Sequence, residues 1–293
     1  MKTVQSEVAK IQSLLLKHPR DAFQSQELIM AQWRQLRYLG PPELDRAIEE
    51  YESFIQLLSN FVPRIHFLPR ESSLTLDSIY VRDASIVCKK GVILCNMGKP
   101  ERAQEPGAQE KFFRSLGITI VGRIEAPGTL EGGDVVWLND HTLAVGRSYR
   151  TNSEGIGQLK ALLEGCIEEM IIVDLPHWRG PKDVFHLMSI ISPVDHDTAL
   201  VYSPLMPIGF REKLLAMGYK LLDVPDEEFE TLGCNVLAIE PGKCLMLSGN
   251  PKTRELLQRQ GMEVYEYKGE EIGIKGGGGP TCLTRPIERI QES

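Results

Sequence analysis

The chain has no apolar run near the roughly 20 residues that span a bilayer, no C-x-x-C pair and no excess of positive charge. Each absence closes a class of function. Lys and Arg number 33 against 40 Asp and Glu, a net charge of −7. That balance argues against nucleic acid and anionic membrane as partners. The opening MKTVQSEVAK holds no apolar stretch of the kind a secretory signal needs. The six cysteines, at 88, 95, 166, 234, 244 and 282, lack the dense spacing of a disulfide framework. The simplest expectation is a cytoplasmic chain with free thiols. A phosphate-binding loop is missing too. The glycine run 276–279 is followed by Pro280 and Cys282, where such a loop would place Lys and Ser or Thr. What is present is an ordinary globular composition, 42% hydrophobic and 25% charged over 293 residues, enough for a large core.

Internal repetition is the strongest signal. Four segments read as two apolar strands joined by a turn: RDASIVCKKGVILCN from Arg82, GDVVWLNDHTLAVG from Gly133, HLMSIISPVDHDTALVY from His186 and CNVLAIEPGKCLMLSG from Cys234. Each is followed by a helical stretch and a short strand. The helices are GAQEKFFRSLG, SEGIGQLKALLEGC, MPIGFREKLLAMG and NPKTRELLQRQG; the strands are ITIVGRI, EMIIVDL, YKLLDV and EVYEY. Asn250-Pro251 and Gly261 have the chemistry of a helix start and stop. The N-terminal portion adds KIQSLLLKH, the strand RIHFLP, and a helix whose Leu44, Ala47, Ile48, Tyr51 and Ile55 keep a 3.6-residue spacing.

The first notable polar residue of each unit is Asp83, Asp134, His186, Asn235 and Cys282. Successive members stand 51, 52, 49 and 47 residues apart. Radial repeats would bring these positions to one axis; a larger sheet whose hairpins do not converge is the alternative.

A thiol, a histidine and several carboxylates around one cavity fit covalent catalysis, with the thiolate as nucleophile and the imidazole as proton shuttle. Cys88, Cys95 and Cys244 lie inside strand patterns and read as small hydrophobes, and Cys166 and Cys234 are left with them. Cys282 stands apart, with glycines before it, Thr281 and Thr284 beside it and Arg285-Pro286 after it. Five histidines, at 18, 66, 141, 177 and 196, fall at loop edges or turns; His186 opens an apolar strand as either a proton shuttle or a satisfied core residue. In LEGGDVV, Glu131 and Asp134 flank two glycines that allow close backbone approach, and Arg150 of GRSYRTN is a surface charge or a carboxylate clamp. No ligand pair has the close spacing of a zinc site.

Together these segments resemble the guanidino-group-modifying enzymes, the family of arginine deiminases, amidinotransferases and dimethylarginine dimethylaminohydrolases. The likeness runs from SEVAKIQSLLLKHP (6–19) to GPTCLTRPI (279–287). It is greatest to the dimethylarginine hydrolases, through GGDV (132–135), RTN (150–152), His186-Leu187-x-Ser189 and Thr281-Cys282. The resemblance implies an α/β fold, a five-bladed α/β propeller of pseudo-repeated ββαβ units (the pentein fold), as one catalytic domain over residues 1–293. It implies Cys282 as nucleophile on the guanidinium carbon, His186 as acid and base, and Glu131 as the acid orienting the histidine. It also implies substrate contacts from Asp77, Asp83 and Asp134, from Arg102 and Arg150 on the carboxylate side, and from Gly276 and a lid residue near Phe23. No metal or organic cofactor is implied. The partner is a small guanidino compound, with a homodimer left open.

Two departures bear on substrate. Met188 stands where deiminases typically carry an aspartate two residues after the histidine, as expected for an alkylated, non-donating nitrogen. Arg82 stands where dimethylarginine hydrolases usually carry glutamate, which is closer to the deiminases. Arginine deiminase is therefore the second reading, followed by amidinotransfer and a non-catalytic propeller.

Overall fold

A computed structural model describes residues 3–181 and 185–291. Its strands form five separate three-stranded sheets, which rules out the single larger sheet. The first holds β1 (Lys10–Leu16) and β2 (Arg64–Phe67). The next contains β3 (Ser85–Cys88), β4 (Gly91–Leu94) and β5 (Ile120–Arg123), and the third β6 (Val135–Trp137), β7 (Thr142–Arg147) and β8 (Glu169–Asp174). The fourth has β9 (Ile191–Asp195), β10 (Thr198–Val201) and β11 (Lys220–Asp223), and the fifth β12 (Leu237–Glu240), β13 (Lys243–Leu247) and β14 (Glu263–Tyr267). The last strand, β15 (Arg285–Ile290), returns to pair with β1 and completes the first sheet.

In every sheet the middle strand pairs antiparallel with one neighbour and parallel with the other. A parallel pair needs a crossover, and a helix supplies it in each unit. Four are Glu105–Ser115, Ser153–Leu162, Ile208–Ala216 and Pro251–Arg259, at the positions expected. Asn152 caps the second of these, its side chain accepting from the Gly155 amide at 2.8 Å. Pro251 starts the last helix and Gly261 follows it at φ +82°. Asn250 does not cap it; its amide instead donates to the Leu247 and Thr231 carbonyls.

The first sheet's crossover holds Leu44–Ser59 and a helix not foreseen, Gln26–Leu36. Ser25 was its signal, accepting from the Leu28 amide as N-cap. In Leu44–Ser59 the fully buried stripe is Ala47, Tyr51, Phe54 and Leu58, so it runs past Ile48 to Phe54.

The segments that open the units join in a closed ring. Gly132 N donates to Asp83 O at 2.8 Å and Leu187 N to Asp134 Oδ1 at 2.9 Å. Ser192 Oγ donates to Cys234 O at 2.7 Å, Thr281 N to Asn235 Oδ1 at 3.1 Å, and Arg82 N to Cys282 O at 3.2 Å. The five positions spaced by about 50 residues therefore converge on one axis, in a five-bladed α/β propeller. Among the described residues no helix is long and apolar enough to cross a membrane.

Candidate active site

Cys282 lies in the turns just before β15 and is half-buried, while the other five free cysteines are buried. Asn235 Nδ2 approaches its Sγ at 3.6 Å and Thr281 Oγ1 lies 3.9 Å away. Burial, followed by the negative charge of Asp83, pushes the thiol above its ordinary range, and the Thr281 hydroxyl and Gly279 amide offset this in part. At rest the sulfur is a thiol.

His186 precedes a short 3₁₀ turn, Leu187–Ser189, and its amide donates to Ser189 Oγ. Its Nε2 lies 2.7 Å from Glu131 Oε2 and its Nδ1 3.9 Å from Asp83 Oδ1. Burial alone would lower the imidazole's pKa, but the carboxylates of Asp83, Asp134 and Glu131 outweigh it and raise the value to about 9. Burial would likewise raise Glu131, yet the His186 bond and the Arg150 charge hold it well below the usual carboxylate range. The two form a buried imidazolium–carboxylate pair at neutral pH.

The LEGGD loop explains the closeness of these groups. A side chain at Gly133 would put its Cβ 2.6 Å from His186 Nδ1 and 2.7 Å from Asp83 Oδ1. At Gly132 it would overlap the Arg82 carbonyl. The two glycines thus admit His186 and the neighbouring unit. The RTN motif secures the loop: Thr151 Oγ1 accepts from Glu131 N at 3.1 Å and Asn152 Oδ1 from Thr129 N at 3.0 Å.

Asp83 is buried, and its Oδ2 accepts from Arg102 Nη1 at 2.5 Å. Its Oδ1 has no hydrogen-bond partner among the described residues. Arg150 Nη1 contacts both oxygens of Glu131, at 3.2 and 3.0 Å, and its side chain is partly exposed. Asp83, Glu131 and His186 bring one donor atom each within 4.8 Å of one another. Arg102 and Arg150 already balance the two carboxylate charges.

Five residues expected at the substrate have partners within the chain. Asp134 is fully buried, and its oxygens accept from Ser148 Oγ and the Leu187 amide, tying two units together. Arg102 is turned away from any ligand carboxylate: it donates to both oxygens of Glu105, to the Tyr80 carbonyl and to Asp83. It positions Asp83 from behind. Asp77 is met by Lys99 Nζ at 2.6 Å. Phe23 is fully buried against the edge of Tyr38 and forms part of the core. Gly276 and Gly278 make room for the Tyr80 ring, and Gly279 for Asn235. Among the four glycines only Gly277 has a left-handed φ, +74°. The run is shaped by packing more than by turn geometry.

The sequence reading also missed supporting groups. Lys99 bridges Asp77, the Leu36 carbonyl and, through its amide, Glu131 Oε1. Asn235 had a visible signal, its place in the 50-residue period, but was given no role. Tyr80 and Glu105 had none.

A family model described as arginine deiminase matches residues 77–220 and 209–289. The chain is 31% identical to the N(G),N(G)-dimethylarginine dimethylaminohydrolase of Streptomyces coelicolor, over 74% of this chain and 75% of that one. It is 29% identical to the Pseudomonas aeruginosa enzyme of the same name, over 84% and 91%. A solved structure of the latter, a cysteine-to-serine variant complexed with citrulline, superposes with a TM-score of 0.76 at 25% identity, covering 96% of this chain and all of that one. The ring of five ββαβ units is thus shared with these proteins over most of its length, and the chain belongs to the arginine deiminase family of guanidino-group-modifying enzymes.

Proposed function

We propose that the chain hydrolyses N-omega-methylated arginine to citrulline and an alkylamine, with residues 1–293 acting as one catalytic unit. The observation that carries this reading is Asp83 Oδ1, a buried carboxylate oxygen without a hydrogen-bond partner among the described residues, beside His186 and acting electrostatically on Cys282. A buried unpaired carboxylate oxygen is costly, and a guanidinium N–H would satisfy it. Arg102, bonded to the other oxygen, holds it aimed.

A guanidinium is delocalised and resists nucleophiles. Its positive charge beside Cys282 lowers the thiol pKa, and the thiol proton passes to solvent. The thiolate attacks the guanidinium carbon to form a tetrahedral adduct. His186, already an imidazolium through Glu131 and Asp83, gives its proton to the departing dimethylamine, leaving a thiouronium on Cys282. The neutral imidazole then takes a proton from water, the hydroxide adds to the same carbon, and collapse expels the thiolate and citrulline. One water is consumed and one amine released.

Substrate preference is supported by Met188, which is buried in an apolar cluster and brings no charge to the site. The opposing signal, Arg82, loses its weight, because that side chain is spent on Glu7 and the Thr281 carbonyl. The test is to incubate the protein with dimethylarginine, monomethylarginine, arginine and agmatine, and to measure citrulline, alkylamine and ammonia. Dimethylamine and citrulline in equal amounts are expected. Ammonia from arginine as the dominant product would replace this reading with a deiminase, and no turnover of any guanidine would sink both.

A further inference from the structure

Behind the catalytic ring lies a second cluster of charge that the proposed reaction does not use. Arg82, Arg285 and Arg289 are 2%, 5% and 2% exposed. They line a cavity of about 20 Å³ with Glu7, Val87 and Trp137. Of the three, Arg82 meets a carboxylate among the described residues, its Nη1 lying 3.2 Å from Glu7 Oε2. The remaining bonds run to neutral carbonyls. Arg82 Nε donates to Thr281 O, Arg285 Nη2 to Arg82 O, and Arg289 to Ala9 O and Ala238 O. Arg82 Nη2 and Arg285 Nε have no partner among the described residues. Asp83, the adjacent carboxylate in sequence, is committed to Arg102.

Three buried guanidinium groups with one hydrogen-bonded carboxylate among them leave positive charge in local excess, Asp83 reaching Arg285 only through space. Burying uncompensated charge is strongly unfavourable, and burial pulls Arg285 and Arg289 down to about 9. A water could bridge the two open N–H groups but brings no charge. The cavity has room for a water-sized guest, which a single halide matches more closely than a tetrahedral oxyanion does.

We propose that Arg82, Arg285 and Arg289 bind a single halide-sized anion, chloride, held by Arg82 Nη2 and Arg285 Nε. The site bears on the catalytic ring through shared segments. Arg82 donates its amide to Cys282 O and its Nε to Thr281 O, and Arg285 packs on Gly132. An anion fixing Arg82 and Arg285 therefore fixes the backbone beneath the thiol. The inference is independent of which guanidine is the substrate.

The test uses the intact protein freed of halide in sodium gluconate. Titration with chloride or bromide at constant ionic strength is expected to raise the unfolding midpoint to saturation, with sulfate having no such effect. Crystals grown in bromide are expected to give an anomalous peak between Arg82 and Arg285. Glu7→Gln, which removes the hydrogen-bonded counter-charge, is expected to lower the half-saturating chloride concentration severalfold. The absence of a bromide peak at that point overturns the site, as does an equal response to gluconate, sulfate and chloride.

Discussion

Asp83 Oδ1 stands 3.9 Å from His186 Nδ1 and is left open, while Asp83 Oδ2 is closed by Arg102 at 2.5 Å. One carboxylate thus raises the pKa of both the imidazole and the thiol. Asp83→Asn should separate its two effects. Turnover of a cationic guanidine is expected to fall roughly a hundredfold or more in kcat/KM, since the charged partner is lost. Alkylation of Cys282 by neutral iodoacetamide should accelerate at the same time, because a negative charge beside the thiol has gone. Slower alkylation would contradict the placement of Asp83 next to the sulfur.

His186 titrates near 9 in the folded chain against an ordinary 6.5. In the proposed role of general acid it must be protonated, so kcat/KM is expected to decline as pH rises through about 9. Glu131→Gln removes its closest counter-charge and should move that decline to lower pH, with a loss in kcat of about a hundredfold or more. Rate measurements across pH 6 to 10 on both proteins decide this.

The same ion pair links stability to pH. A raised histidine pKa contributes stability that is complete below 6.5 and lost as pH rises through about 9. The depressed Glu131 contributes above its ordinary 4.5 and is lost as pH falls through its lowered folded value. The basic limb corresponds to roughly 3 kcal/mol. Chemical denaturation at pH 6.5 and 9.5 should show a loss of that order, and much less in His186→Gln.

Gly133→Ala tests packing without backbone strain, since Gly133 does not occupy a left-handed conformation. The added Cβ meets His186 Nδ1 and Asp83 Oδ1, displacing the two groups that share the reaction. The expected outcome is a native circular dichroism spectrum with kcat reduced by about a hundredfold. Unchanged kcat would show that the ring does not depend on this contact.

The architecture was legible because hairpin, helix and strand recur at a spacing that survives sequence drift. Cys282 and His186 stood out because each opens a unit, and the resemblance to the family added Glu131 to them; the structure places Glu131 against His186. The directions of the buried charges could not be read in this way. Asp134 shares the period with Asp83, yet one oxygen of Asp134 faces the Leu187 amide and the other Ser148, so it is consumed by the scaffold. Arg102 turns inward because Glu105, one helical turn on, takes two of its donors. The glycine run owes its composition to Tyr80, about 200 residues earlier in the chain. Such facts belong to contacts between distant segments, which local pattern does not encode.

The pairing of β15 with β1 has a consequence for the Cys282 thiol. Val4 N donates to Arg289 O and Arg289 N to Thr3 Oγ1, so a strand from each extremity zips into one blade. Cys282 sits three residues before that zipper. The backbone that carries this thiol is therefore tied into a seam between segments from opposite ends of the described chain.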